Sequence, residues 1–152
     1  MEIKYMEAAI AQARLAENID EVPIGCVIVK DGKIISKTHN LRESSQISTA
    51  HAEILAINKA CKKLKTWRLE GCELYVTIEP CPMCAGAIMQ SRITKVYYGA
   101  KDPKGGSYGS NFDLNGVIGL NHYVEVTGGI LEEQCSEIIK KHFKNKRNKK
   151  NN

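Results

Sequence analysis

A His-x-Glu triplet and a Pro-Cys-x-x-Cys segment are the residues of this chain best suited to chemistry. They are His51-Ala52-Glu53 and Pro80-Cys81-Pro82-Met83-Cys84. Structural zinc takes four Cys or His ligands, whereas catalytic zinc takes three and leaves one position to water. His51, Cys81 and Cys84 supply three ligands and therefore predict a catalytic zinc site. Glu53 is a spare carboxylate, and we expect it to move protons to and from the zinc-bound water.

Other interpretations of these residues stay open at this point. Cys81 and Cys84 could form a redox pair, but His51 and Glu53 would then have no role. A closed structural zinc site would need a fourth ligand from another of the six cysteines. The spacing as a whole is similar to the H-x-E and P-C-x-x-C signature of zinc-dependent nucleobase deaminases, in which the glutamate is the general acid and base.

Both halves of the motif are predicted to lie at helix starts. Apolar residues recur at helical spacing after His51, and Ser48-Thr49 precedes them as a predicted cap. Side chains in a first helical turn lean towards the N-terminus, so His51 and Glu53 can approach one metal there. Pro82 suits the first position of a second helix, expected to run to about Ser91. The positive end of that helix favours the thiolate form of its cysteines.

The rest of the pattern predicts an α/β fold with a mixed five-stranded sheet. Predicted strands are Gly25–Lys30, Lys33–His39, 73–77, 93–99 and 123–127, and predicted outer helices are 3–13 and 131–146. Asp31-Gly32 predicts a hairpin between the first two strands. The strand, helix, strand order around the cysteines predicts a parallel pair with a right-handed crossover. A lid or a short helix around Phe112 is expected in the Gly-rich connection 100–122.

Length and composition define the class of protein. The 152 residues, 43% of them hydrophobic, are sufficient for one domain spanning 1–152 without disulfide bonds. The sequence has no apolar run of 18 residues and no signal-peptide layout, which predicts a cytoplasmic protein without a membrane span. In that compartment Cys26, Cys61, Cys72 and Cys135 are expected to be free thiols packed as small apolar side chains.

The positive charge is concentrated at the C-terminus. The net charge is +5, and residues 140–152 contain seven of the 22 basic residues and no acidic one. The rest of the chain, with 15 basic and 17 acidic residues, carries −2. Such a basic segment is either a solvated end or a surface for nucleic-acid phosphates. Beside a nucleobase deaminase motif, we favour the nucleic-acid interpretation.

Further segments complete a family pattern. They are 21–25, Asn40, 49–53, 67–69, 74–77, 79–86, 91–93 and 99–110. From about residue 5 to about residue 147, the chain resembles the bacterial tRNA-specific adenosine deaminases. The resemblance implies a cytidine deaminase-like three-layer α/β/α fold, one zinc per subunit and a homodimer. It also implies that the wobble adenosine of an arginine tRNA anticodon is flipped out and converted to inosine.

The same resemblance implies roles for individual side chains at the reaction centre. His51, Cys81 and Cys84 would hold the zinc, and Glu53 would shuttle the proton. Asn40 would hydrogen-bond the flipped purine. Its alternative interpretation is a turn residue that follows a strand.

Other side chains are implied in binding the anticodon loop. Asp102, Lys104 and Ser107 lie in the family's loop beside the anticodon, and the alternative is that this loop is merely solvent-exposed. Phe143 and Arg147 align with an aromatic and a basic residue of the family's last helix. Phe143 could instead anchor that helix in the core.

Three positions depart from the family pattern and keep other functions open. Pro82 stands where the family more often has valine, and Pro-Cys-Pro-Met-Cys also occurs in deaminases of free cytosine and guanine. Cys26 replaces an alanine, and Tyr108 occupies a loop position that is often small. A deaminase of a free nucleobase is therefore the second hypothesis. The third, a catalytically silent zinc-containing RNA-binding module, would gain nothing from Glu53, whose desolvation beside an open zinc position is costly.

Overall fold

A computed structural model describes residues 1–150 of the chain. The helices of this part are α1 (Ile3–Asn18), α2 (Arg42–Ser45), α3 (Ala52–Leu64), α4 (Pro82–Gln90) and α5 (Glu132–Lys150), with a 3-10 turn at Leu114–Gly116. The strands are β1 (Gly25–Lys30), β2 (Lys33–His39), β3 (Cys72–Ile78), β4 (Lys95–Ala100) and β5 (Glu125–Thr127). The predicted basic segment 140–152 ends in two residues that lie outside the described part.

The strands form one mixed sheet in the order β2-β1-β3-β4-β5. β1 is antiparallel to both β2 and β3, whereas β3, β4 and β5 run parallel. The predicted hairpin is confirmed: Asp31 and Gly32 both have positive φ angles, of 51° and 74°, as a two-residue turn with the right twist requires. The parallel β3–β4 pair is also confirmed, and α4 with the two cysteines is its crossover.

Helices cover both faces of the sheet, which confirms the predicted three-layer α/β/α arrangement. α1 and α5 pack on one face, where Met6 and Ile138 belong to a cluster with Tyr75. On the other face, residues of α3 and α4 such as Ala56 and Ile88 pack against the strands. The two helices that begin at the predicted metal ligands therefore lie on the same side of the sheet.

The cysteines outside the motif are free thiols within residues 1–150, as predicted. Cys26, Cys72 and Cys135 are buried, and Cys61 is partly buried. No helix of this part of the chain has both the length and the apolar character to cross a membrane.

Some predicted boundaries are wrong, and each has a local cause. Ser48-Thr49 does not cap α3, because these exposed residues form a turn and His51 takes the N-cap position itself. α2 was not expected from the sequence. β4 begins at Lys95, two residues later than predicted, because the backbone of Arg92 has a φ of 64° and turns the chain after α4.

Candidate active site

The chain enters α3 and α4 through two of the residues predicted to bind zinc. His51 is the N-cap residue of α3, with extended backbone angles of −75° and 151°. Cys81 is the N-cap residue of α4, with angles of −75° and 173°, and Pro82 follows at the first helical position as predicted. Neither side chain makes a capping hydrogen bond to its own helix in the described structure. Both are therefore free to point at a common centre beyond the two helix ends.

The spacing of the three ligand atoms fits zinc. His51 Nδ1 lies 3.6 Å from Cys81 Sγ and 3.5 Å from Cys84 Sγ. A tetrahedral zinc ion with its usual bond lengths would place a ligand nitrogen and a ligand sulfur about 3.6 Å apart. Among residues 1–150 no fourth His, Cys, Asp or Glu joins this group. The set therefore matches an open site, and the closed structural site considered above has no support.

Hydrogen bonds connect the three predicted ligands. A hydrogen bond from Cys84, assisted by one from His51, lowers the pKa of Cys81 to about 4. The pKa values of His51 and Cys84 shift upwards. The hydrogen bond to Cys81 raises both values, and burial raises the pKa of Cys84 further. These hydrogen bonds favour the thiolate form of Cys81, and metal binding would displace the protons that His51 and Cys84 carry.

Glu53 lies in the first turn of α3 and its residue is only 3% exposed. Burial, together with the negative charge of Cys81, raises its pKa to about 7. Burying a carboxyl group costs free energy, so the position of Glu53 beside the three predicted metal ligands indicates a functional role.

Asn40 follows β2 and presents an unpaired acceptor. Its backbone N–H donates to the carbonyl of Ile24 at 3.1 Å. Its side chain is buried, and Oδ1 has no hydrogen-bond partner among residues 1–150. A role as a turn residue would account for the backbone hydrogen bond of Asn40. It would not account for the buried, unpaired oxygen of the side-chain amide. A buried acceptor without a hydrogen-bond partner is costly. The structure therefore favours a role in which a bound ligand donates a hydrogen bond to Asn40 Oδ1.

Comparison with known proteins identifies the family. Residues 2–147 match the MafB19-like deaminase family. The tRNA-specific adenosine deaminase of Bacillus subtilis is 54% identical over 146 residues, which are 96% of this chain and 91% of that protein. This chain belongs to the tRNA-specific adenosine deaminase family. The tRNA-specific adenosine deaminase of Aquifex aeolicus is 48% identical over 144 residues, 95% of each chain.

Similar solved structures support the assignment of this chain to the adenosine deaminase family. A structure from work on tRNA:A34 deaminases, which edit A to I at the wobble position of transfer RNA, superposes with a TM-score of 0.85 and 43% identity. The match covers 90% of this chain and 99% of that one. The guanine deaminase of Bacillus subtilis shares 44% identity at a TM-score of 0.62, over 64% of this chain and 63% of that one. The cytidine deaminase-like fold expected from the sequence is confirmed.

The loop after β4 holds three of the residues that resemblance to the adenosine deaminase family assigns to RNA. Asp102 Oδ1 accepts hydrogen bonds from the backbone N–H groups of Lys104 and Gly105, at 3.1 and 3.3 Å. Ser107 is fully buried and its hydroxyl donates to the carbonyl of Gly105 at 3.1 Å. Asp102 and Ser107 therefore shape the loop, and Lys104 is exposed. Contact of all three with RNA stays a prediction.

Glu79 fixes that loop, a role that the sequence analysis missed. Its buried carboxylate accepts hydrogen bonds from the N–H groups of Asp102 (3.2 Å), Tyr108 (3.0 Å) and Ser110 (3.2 Å), and from the Ser110 hydroxyl. A side chain at Gly106 would collide with this carboxylate. The only signal in the sequence is an acidic residue at a strand end combined with a Gly-Gly pair in the loop.

The C-terminal helix presents the other two residues that the resemblance assigns to RNA. Phe143 is 43% exposed and lies edge-on to the ring of His142, with centroids 5.3 Å apart. The alternative that Phe143 anchors α5 in the core is therefore wrong; Ile138 and His142 are the buried residues of this helix end. Arg147 is exposed, and its contact with RNA stays a prediction.

Proposed function

We propose that this chain hydrolytically converts adenosine to inosine at the wobble position of a tRNA anticodon, with release of ammonia. The observation that carries the proposal is a zinc-sized triangle of ligands with a buried spare carboxylate next to it. His51 Nδ1 lies 3.5 and 3.6 Å from the two thiol sulfurs, and Glu53 begins the same helix. Family membership supports the choice of adenosine in tRNA.

His51, Cys81 and Cys84 would hold one zinc per subunit. When bound, zinc supplies Lewis acidity, which makes water acidic near neutral pH. Glu53 accepts the proton of the attacking water and returns a proton to the amino group that leaves as ammonia. Its burial keeps bulk water from competing for those protons. Asn40 Oδ1 accepts a hydrogen bond from the flipped base and so orients the ring over the centre.

The RNA surface would extend from the loop after β4 to α5. Lys104 and Arg147 would contact phosphates, Phe143 would stack on a base of the anticodon loop, and Asp102 and Ser107 would hold the loop that receives it. An adenosine inside a loop can be flipped into the site at a low unstacking cost. We further propose a homodimer that acts on an arginine tRNA in the cytoplasm, as the family resemblance implies.

A second candidate is a deaminase of a free nucleobase, guanine or cytosine. The likeness to the guanine deaminase of Bacillus subtilis and the residue Pro82 favour it. That likeness extends over a smaller share of both chains than the one to the tRNA:A34 deaminase structure. We therefore rank the deaminase of a free nucleobase as the second candidate.

Ammonia release from a matched set of substrates tests the proposal. The zinc-loaded protein would be incubated with an arginine anticodon stem-loop carrying adenosine at the wobble position, with the same stem-loop carrying guanosine there, and with free adenosine, guanine and cytosine. We expect ammonia from the wobble-adenosine stem-loop alone, with inosine at that position. Release from free guanine or cytosine would support the second candidate. Release from none of them would overturn both and leave a silent zinc-containing RNA-binding module.

A further inference from the structure

Glu21 is a fully buried carboxylate in the segment between α1 and β1. Its Oε1 accepts a hydrogen bond from the backbone N–H of Glu43 at 3.1 Å, and its Oε2 accepts one from the N–H of Ser44 at 2.5 Å. A carboxylate is buried at high cost unless hydrogen bonds of this kind replace its hydration. Glu21 therefore ties the backbone of α2 to the segment before β1.

The helix α2 depends on this contact, because it has little else to hold it. It is four residues long, none of its side chains is buried, and its N-cap residue, Leu41, makes no side-chain capping hydrogen bond. A helix of one turn is not stable in water by itself. Glu43 and Ser44 occupy its second and third positions, whose N–H groups a capping side chain ordinarily accepts from. Glu21 thus caps α2 from more than twenty residues earlier in the chain.

Asn40 lies two residues before α2, between the capped helix and the predicted metal site. Its backbone N–H donates to the carbonyl of Ile24, in the segment before β1, at 3.1 Å. The N–H of Leu41 donates to the carbonyl of Ala50 at 3.0 Å, and Ala50 directly precedes His51. The chain at Asn40 is therefore bonded on one side to the segment before β1 and on the other to the segment that enters α3.

We propose that Glu21 is a positioning residue for Asn40: by capping α2 it fixes the chain that follows Asn40 and so aims the unpaired Oδ1 at the flipped base. Asn40 Oδ1 is buried and has no hydrogen-bond partner among residues 1–150, so its placement depends on the backbone that carries it. A displacement of about 1 Å in a group that orients the substrate can cost about 100-fold in rate. The inference rests on the proposed function, in which Asn40 binds the base.

A double-mutant cycle of Glu21→Gln and Asn40→Ala separates positioning from general stabilisation. Glutamine keeps the shape of the side chain, but its amide group faces one of the two N–H donors of α2 with a donor of its own. On the zinc-loaded protein and the wobble-adenosine stem-loop, Glu21→Gln alone should lower kcat/KM about tenfold. Added to Asn40→Ala, it should lower kcat/KM by less than about twofold, because the group that it positions is already absent.

Ser91→Ala is the control for lost stability. The buried Ser91 hydroxyl donates to the carbonyls of Ala87 and Ile88 at 2.9 and 3.1 Å, at the end of α4 opposite to Cys81. Its loss should destabilise the protein and leave kcat/KM at the parent's value, with all proteins assayed well below their melting temperatures. Hydrogen exchange followed by NMR gives a second measurement that needs no turnover. The backbone amide of Asn40 should exchange at least about tenfold faster in Glu21→Gln than in the parent or in Ser91→Ala.

Equal losses of kcat/KM from Glu21→Gln in the parent and in the Asn40→Ala background would overturn the proposal, because Glu21 would then act independently of Asn40. An Asn40 amide that exchanges in Glu21→Gln as in Ser91→Ala would overturn it as well. If the parent releases no ammonia from the stem-loop, the proposed function fails. The exchange rates then still decide whether Glu21 holds Asn40, so the two failures are distinguishable.

Discussion

Nδ1 of His51 and Sγ of Cys81 lie 3.6 Å apart although thirty residues separate them in the chain. Each residue is the N-cap of its own helix, and the two helices begin on the same side of one sheet. The ligand triangle is thus set by the packing of α3 and α4, so we expect metal to bind without large rearrangement.

We predict about one zinc per chain, bound by two sulfurs and one imidazole nitrogen. X-ray absorption should show this protein set and one further light-atom ligand. Cys84→Ser should lose most of the metal, whereas Cys61→Ser, at a partly buried thiol outside the site, should retain it. A third sulfur in the first shell would contradict the open site.

Glu53→Gln should retain zinc and RNA affinity and lose turnover by about 10⁴-fold. General acid and base catalysis contributes about 10² to 10⁴-fold, and here one residue serves both proton transfers. The amide cannot accept the proton or return it. Single-turnover rates on the wobble-adenosine stem-loop provide the measurement, and a rate within tenfold of the parent would remove Glu53 from this role.

Asn40→Ala should lower kcat/KM by about 10- to 100-fold, because a hydrogen bond inside a buried site is worth about 1–3 kcal/mol. Metal content should not change. Asn58→Ala, at an exposed position of α3, is the matched control and should behave as the parent. Equal kcat/KM values for the two variants would return Asn40 to the turn-residue interpretation.

The basic end of α5 should give RNA binding its salt dependence. Replacing Lys144 and Arg147 together by glutamine should weaken binding and reduce the slope of log affinity against log salt by about 0.7 to 0.9 for each lost phosphate contact. Cognate and non-cognate stem-loops should lose similar amounts, since phosphate contacts do not read bases. The same change at Lys62 and Lys63, exposed on α3, is the control. If the α5 variant and the α3 variant both keep the parent's salt-dependence slope, the basic end of α5 is only a solvated end.

Glu21 should make stability depend on pH. Burial opposes its ionisation, but hydrogen bonds from Ser44 and from the N–H of Glu43, with the charge of Arg42, outweigh it and lower the pKa below 4.5. A lowered folded pKa stabilises the protein above the unfolded value, and the contribution disappears as pH falls through the folded pKa. Glu21→Gln should therefore lower the free energy of unfolding by about 1–2 kcal/mol at pH 7.

The difference between Glu21→Gln and the parent should shrink as the pH falls below about 4.5, the ordinary pKa of the group. Urea unfolding at a series of pH values gives this comparison. A difference that stays constant down to pH 3 would mean that the charge of Glu21 has no part in stability.

The sequence by itself determined the features that depend on neighbouring residues. The hairpin followed from Asp31-Gly32, because few residue pairs adopt the positive φ angles of such a turn. The helix at the cysteines followed from Pro82, whose fixed φ suits a first helical position. The three ligands and the spare carboxylate followed from residue types and spacing, since zinc chemistry restricts both.

Only the tertiary structure decided how the loops around the site are held. Glu79 bonds Tyr108 across 29 residues, and Glu21 bonds Glu43 across 22. Such contacts leave no periodic pattern, because a carboxylate can accept from any backbone N–H that packing brings within reach. The same holds for the burial of Ser107 and for His51 as the cap of α3. These positions depend on how distant segments pack, which no local rule of the chain specifies.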